Sequence, residues 1–180
     1  MNSFATLHRS MENLQRKLFS SYIIQMEKTR FVNGDRELFA NYGITSFIAK
    51  GNNTVYETVH RSNKDDVQCV KEIRLVDRNA ETVFEKEVKL LDFLRKHPHP
   101  AVIEFKGSYV VAQELSEFNC SRKGFIQMEK GITSLDHLIN ERVQTGKHFT
   151  EEEVMQFIGS MIDAHRHLQA LSIAHRDIKP

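Results

Sequence analysis

Cysteine is scarce in this sequence, with only Cys69 and Cys120 among 180 residues. Two cysteines so far apart form neither a disulfide framework nor a zinc site, which indicates a reducing compartment. The start of the chain lacks the apolar core of a signal peptide, and no run approaches the roughly eighteen apolar residues of a membrane span. We therefore expect a cytoplasmic or nuclear protein that does not enter the membrane.

An excess of charge of either sign is also lacking. The chain has 25 lysines and arginines against 24 aspartates and glutamates, for a net charge of +1. Such a balance creates no overall field that would attract nucleic acid or anionic lipid. No nucleic-acid partner is expected.

The nine histidines do not predict a metal site. His165 and His167 are two residues apart in a helical stretch, so their side chains point to different sides. His97 and His99 flank prolines in a turn. Surface or loop positions explain these residues better than metal ligation does, and no metal ligand is predicted.

The first part of the chain carries apolar residues spaced three or four apart, namely Leu7, Met11, Leu14, Leu18 and Tyr22. This spacing predicts an amphipathic helix in an N-terminal extension over residues 1–40. Packing of this helix on the neighbouring domain is the favoured interpretation, and binding of a protein partner is the alternative. A turn is predicted at Asn33-Gly34-Asp35.

The rest of the chain predicts strands first and helices later, an α+β order. Alternating patterns predict strands over Ile44–Ala49, Thr54–His60, Val67–Val76, Val102–Val111 and Phe125–Met128. Helical patterns cover Ala80–Lys96, Ser134–Arg142 and the stretch from Thr150 onward. Thr150 and Glu153 have the spacing of a capping box.

Two charged residues fall in apolar rows. In the third predicted strand, Lys71 alternates with Cys69 and Ile73. In the helix that follows, Glu87 shares a stripe with Val83, Leu90, Leu91 and Leu94. Lysine is rarely buried without a partner, because removing water from an ammonium costs several kcal/mol. The two side chains either reach water separately or meet each other.

Four segments resemble protein kinase motifs, in the order in which kinases carry them. They are Ile48–Tyr56 for the glycine-rich loop, Cys69-Val70-Lys71 for the lysine strand, Glu87–Leu91 for the glutamate helix, and His175–Pro180 for the catalytic loop. The last segment is the most specific, and four motifs in order are far more specific than any one. The resemblance covers about Ile44 to Pro180.

This resemblance implies a small lobe over residues 41–131, with a five-stranded antiparallel sheet and one helix. The start of a large lobe would follow over residues 132–180. The implied activity is transfer of the γ-phosphate of ATP, with Mg²⁺, to serine or threonine of a protein substrate. Lys179 favours serine and threonine, since tyrosine kinases usually lack a lysine at this place.

The resemblance also assigns catalytic roles. Lys71 would hold the α- and β-phosphates and would be fixed by an ion pair with Glu87. Asp177 would accept the proton of the substrate hydroxyl, and Lys179 would steady the γ-phosphate. The implied nucleotide contacts are Ile48, Gly51, Val55, Cys69, Met128, Glu129 and Gly131. Among them, the backbones of Glu129 and Gly131 would bond the adenine edge.

Two departures from the family pattern affect these expectations. Ala49 stands where the first glycine of the loop belongs, and the loop is one residue short. The Asp-x-x-x-x-Asn spacing from Asp177 would place a magnesium ligand two positions after Pro180. The chain by itself is therefore expected not to turn over, and Phe157, Ile158 and Met161 are expected to be partly exposed. A non-catalytic kinase-like module that binds a protein partner is the alternative.

Overall fold

The structure is a computed structural model that describes residues 29–116, 119–176 and 178. Its elements are β1 (Thr29–Gly34), α1 (Arg36–Asn41), β2 (Tyr42–Lys50), β3 (Thr54–His60), β4 (Asn63–Arg74), α2 (Arg78–Arg95), β5 (Phe105–Ser116), β6 (Asn119–Glu129), α3 (Leu135–Thr145) and α4 (Glu151–Ala170). The predicted helix over Leu7 to Tyr22 lies outside the described residues.

The strands form one antiparallel sheet in the order β1-β5-β6-β4-β3-β2. The predicted α+β class is confirmed, and the sheet has six strands where five were expected. The additional strand, Thr29–Gly34, comes from the stretch that was assigned to the N-terminal extension. The sequence pattern missed it because the strand is short and ends in polar turn residues.

The turn after β1 is the one that Asn33-Gly34-Asp35 predicts. Gly34 has a φ of 98°, and a Cβ there would lie 2.4 Å from the carbonyl oxygen of Ser108. Only glycine combines this backbone conformation with so close an approach. The Asp35 carboxylate then caps α1 by accepting hydrogen bonds from the backbone N–H of Glu37 and of Leu38.

One side of the sheet, which we call the outer face, carries a hydrophobic cluster against which side chains of α1 and of the edge strands β1 and β2 pack. Its buried residues are Tyr56, Val70, Tyr109, Val111 and Phe125. Phe31, Leu38, Phe39 and Ile44 pack against them. Burial raises the pKa of the Tyr109 phenol above its ordinary value. The segment before β2 is therefore part of the hydrophobic core.

Helix α2 packs on the opposite side of the sheet, which we call the inner face. Phe84, Val88 and Leu91 contact a buried cluster that includes Val110 and Ile126. The Phe84 ring lies so close to Gly124 that a Cβ there would be 2.6 Å from it. This contact fixes the rotation of the helix about its axis.

The rotation of α2 corrects one prediction. Val83 and Leu90, which the predicted stripe placed against the sheet, are 55% and 42% exposed. The contacting stripe lies one position further along, at Phe84, Val88 and Leu91. Glu87 falls three residues after Phe84 and four before Leu91, so it still faces the sheet.

The chain divides into two units, and the second comprises Arg95–Glu104 and the residues from Gly131 onward. The predicted division into 1–40, 41–131 and 132–180 stays a prediction. Within the second unit the capping box is confirmed: the Glu153 N–H lies 3.1 Å from Thr150 Oγ1, and the Thr150 N–H 2.8 Å from Glu153 Oε2. Arg142 of α3 also bonds Glu153 at 2.7 Å.

Helix α4 carries the expected exposed apolar residues. Phe157, Ile158 and Met161 are 46%, 43% and 37% exposed, whereas Leu168 is buried. In the part of the chain that the structure describes, no helix combines the length and apolar character needed to cross a bilayer.

Candidate functional site

An ion pair joins β4 to α2 on the inner face. Lys71 Nζ lies 2.6 Å from Glu87 Oε1, with the side chains 24% and 33% exposed. Strand alternation brings Lys71 to the side that faces α2, and the helical period brings Glu87 to the side that faces the sheet. The predicted contact between the two side chains is therefore present.

The pair is partly hydrated, so its main effect is to position the ammonium and not to stabilise the fold. A lysine ammonium has three N–H donors, and Glu87 takes one of them. The remaining donors can bond further acceptors, and an anion with several oxygens, such as a phosphate, suits them.

Val55 lies directly opposite Lys71 in the pairing of β3 with β4, so both side chains are on the inner face. The β2–β3 hairpin closes through the pairs Lys50–Thr54 and Ala49–Val55. Ile48 is 45% exposed and lies where the register shifts between Phe47 and Ala49. Ile48 and Val55 thus lie on the two strands of this hairpin, and their contacts with a nucleotide stay predictions.

The tip of this hairpin differs from the expectation for a phosphate-binding loop. The backbone N–H of Gly51 donates to the carbonyl oxygen of Asn53 at 3.0 Å. This amide is used within the turn and is not free for a phosphate in this conformation. A Cβ at Gly51 would meet nothing within 4 Å, so packing does not require glycine there.

Cys69 also lies on the inner face. It comes two residues before Lys71 on β4 and is paired with Met128 of β6. It is 7% exposed, and its Sγ–H donates to the carbonyl oxygen of Glu129 at 3.3 Å. Burial is the largest cause of the raised pKa of the Cys69 thiol, followed by the Glu129 carboxylate. The sulfur therefore keeps its proton and remains a donor.

An ion pair with Glu57 holds Lys130, the residue after Glu129. Lys130 Nζ lies 2.5 Å from Glu57 Oε2, and Thr45 Oγ1 donates to Glu57 Oε1 at 3.1 Å. Glu57 is directly opposite Cys69 in the β3–β4 pairing. Sequence reasoning missed this pair, although Glu57 between Val55 and Val59 is the same signal that singled out Lys71: a charge in an apolar row.

The Glu57–Lys130 contact predicts a pH dependence. The hydrogen bond from Lys130 is the largest cause that holds the pKa of Glu57 below its ordinary value of 4.5. A lowered folded-state pKa gives stability that is present above the unfolded pKa and is lost as pH falls through the folded one. We expect Glu57→Gln to melt below the wild type at pH 7. The two melting curves should converge as pH falls below 4.5. A gap that persists unchanged at acidic pH would show that the carboxylate is not responsible.

The structure describes only some of the remaining predicted site residues. Met128 is partly buried against the inner-face cluster, and Gly131 belongs to the second unit. Asp177 and Lys179 lie outside the described residues, so their roles stay predictions. Among residues 29–116, 119–176 and 178, no three histidine, cysteine, aspartate or glutamate side chains are grouped so that they could hold a metal ion.

Comparison with known proteins assigns the family. The protein kinase domain matches residues 42–180. The serine/threonine-protein kinase H1 homolog of Pinctada fucata is 29% identical over 148 residues, which cover 81% of this chain and 31% of the relative. The human serine/threonine-protein kinase H1 is 26% identical over 147 residues, with the same coverage. The chain thus spans about a third of the length of these relatives.

The match begins at Tyr42, so β1 and α1 precede it, and it contains the whole inner face described above. It includes both partners of the ion pair, on the strand and the helix where the sequence motifs placed them. The chain belongs to the protein kinase family and carries the N-terminal part of a protein kinase domain.

Proposed function

We propose that this chain binds ATP as part of a protein kinase that phosphorylates serine or threonine of protein substrates. The observation that carries the proposal is the 2.6 Å contact between Lys71 and Glu87 on the inner face of the sheet. The family match and the serine/threonine kinase names of the relatives support it.

Lys71 would bind the α- and β-phosphates of ATP. Its ammonium is oriented by Glu87 and has further N–H donors for phosphate oxygens. Charge-assisted hydrogen bonds of this kind are stronger than neutral ones and fix the position of the anion. Holding the phosphates in place is a large part of catalysis in phosphoryl transfer, because the protein positions the group and stabilises its charge.

The adenine base would lie beside Val55, Cys69 and Met128. Val55 is opposite Lys71, and Cys69 is opposite Met128, so all these side chains share the inner face. The backbones of Glu129 and Gly131 would bond the edge of the base. Ile48 and the Gly51 turn would lie over the nucleotide, where the turn has to release its internal hydrogen bond for the Gly51 amide to reach a phosphate.

The later steps of phosphoryl transfer are proposed by analogy with the kinase family, and the chain spans about a third of the length of the relatives it matches. Asp177 would take the proton of the attacking serine or threonine hydroxyl, and Lys179 would balance charge on the γ-phosphate. Magnesium accompanies ATP in protein kinases, and no step is assigned to the metal here. We place the protein in the cytoplasm or the nucleus.

A thermal-shift titration of the chain with ATP and magnesium tests this function. A ligand that binds the folded state raises its stability by about 2.7 kcal/mol at a concentration of one hundred times Kd. We expect a concentration-dependent rise in melting temperature with ATP, and a smaller rise with adenosine at the same concentration. An unchanged melting temperature up to millimolar ATP would contradict the proposal and leave a non-catalytic module as the better account.

A further inference from the structure

The contact between Cys69 and Glu129 involves the same carbonyl oxygen that the proposed function assigns to adenine. Cys69 stands where the kinase resemblance has an alanine, and alanine has no donor. In this chain the buried thiol donates to the Glu129 oxygen at 3.3 Å. On the adjacent strand, Glu57 holds Lys130 at 2.5 Å. Glu57 and Cys69, which are paired between β3 and β4, thus contact two consecutive residues: Glu129, the last residue of β6, and Lys130, which follows it.

The number of hydrogen-bond donors that reach the Glu129 carbonyl oxygen decides how it interacts with a bound base. A carbonyl oxygen accepts up to two hydrogen bonds. A buried acceptor that loses its only donor is costly, whereas one that keeps a donor is not. Glu129 is exposed, so water can reach this oxygen in the free chain, whereas a bound base would cover it. With alanine at position 69 the thiol donor is absent, and the base itself would have to donate to the covered oxygen. With Cys69, the oxygen is bonded before any base arrives.

We propose that Cys69 sets the selectivity of the nucleotide site at the purine 6-position, by keeping the Glu129 carbonyl hydrogen-bonded whichever base is present. This inference rests on the proposed nucleotide site. A 6-amino purine donates to the second lone pair of the oxygen. A 6-oxo purine brings an acceptor there instead, and the thiol prevents the carbonyl from being left without a donor. The site should therefore tolerate 6-oxo purine nucleotides better than the same site with alanine.

The test compares ATP with ITP, which carries a 6-oxo group and lacks the 2-amino group of GTP. Dissociation constants are measured on the full chain by displacement of a fluorescent nucleotide, for the wild type and for Cys69→Ala, Cys69→Val and Cys69→Ser. The ratio of ITP to ATP dissociation constants should rise about three- to tenfold in the alanine and valine variants, which lack the donor. The serine variant keeps a donor and should stay within about twofold of the wild type.

Three other results would overturn the inference on Cys69, and they differ in what they mean for the proposed function. If ATP binds but the ratio is unchanged in both the alanine and valine variants, the inference is wrong and the proposed function stands. If valine behaves like the wild type and only alanine differs, side-chain volume sets the selectivity, and the inference is also wrong. If the wild type binds no ATP, the proposed function fails and the inference fails with it.

Discussion

Replacing Lys71 by methionine is expected to weaken ATP binding by about tenfold to a hundredfold, the usual loss for a hydrogen bond to a charged group. Methionine keeps the length of the side chain but cannot donate to phosphate oxygens. The folded state should lose little stability, because Glu87 is 33% exposed and remains hydrated when its partner is removed. Isothermal titration calorimetry with ATP and adenosine measures the effect. Adenosine affinity should not change, since adenosine has no phosphate.

Two further variants sharpen this prediction. Glu87→Gln retains Lys71 but loses the charge that orients it, so ATP binding should weaken less than in Lys71→Met. Lys89→Met removes an exposed lysine from the same helix and should bind ATP like the wild type. If Lys71→Met also kept wild-type affinity, the ammonium would not be a phosphate ligand.

Replacing Lys123 by methionine should destabilise the fold by about 3–5 kcal/mol, because it removes the ammonium that pairs with the buried carboxylate of Glu72. Lys123 Nζ lies 3.2 Å from Glu72 Oε1 on the outer face, with side-chain exposures of 13% and 6%. The carboxylate would remain in this environment, near the buried Tyr109, without the Lys123 ammonium. Urea denaturation monitored by circular dichroism gives the free energy of unfolding.

The chain offers a matched control in Lys130→Met. Lys130 and Glu57 also form an ion pair, but their side chains are 38% and 24% exposed, so the expected loss is under about 1 kcal/mol. The double variant Lys123→Met with Glu72→Gln should recover much of the lost stability, since the buried charge is then absent. Equal stability of Lys123→Met and the wild type would mean that this part of the outer face is open to water.

The centre of the candidate site could be predicted from sequence because charge in an apolar row is a local signal. Lys71 and Glu87 each break the periodicity of their own element, and the period of each element fixes the face on which they lie. The capping box at Thr150 and Glu153 is equally local and equally predictable. Motif order then connected these residues to a family.

The outer face could not be predicted in the same way. Its cover comes from Phe31, Leu38 and Phe39, and a short strand and a short helix give no long periodic pattern.

The rotation of α2 about its axis, on the inner face, was also missed, because the close approach of Phe84 to Gly124 fixes it. That contact joins residues forty positions apart in sequence, and no single-element pattern contains it.

The location of bound ATP tests the central claim most directly. Backbone amide resonances of the ¹⁵N-labelled chain can be followed by NMR during titration with ATP and magnesium. The account predicts that the largest shift changes occur at Val55, Cys69, Lys71 and Glu129, while the outer-face residues Phe31 and Val111 change little. Changes centred on the outer face, with the amides around Lys71 unaffected, would contradict it.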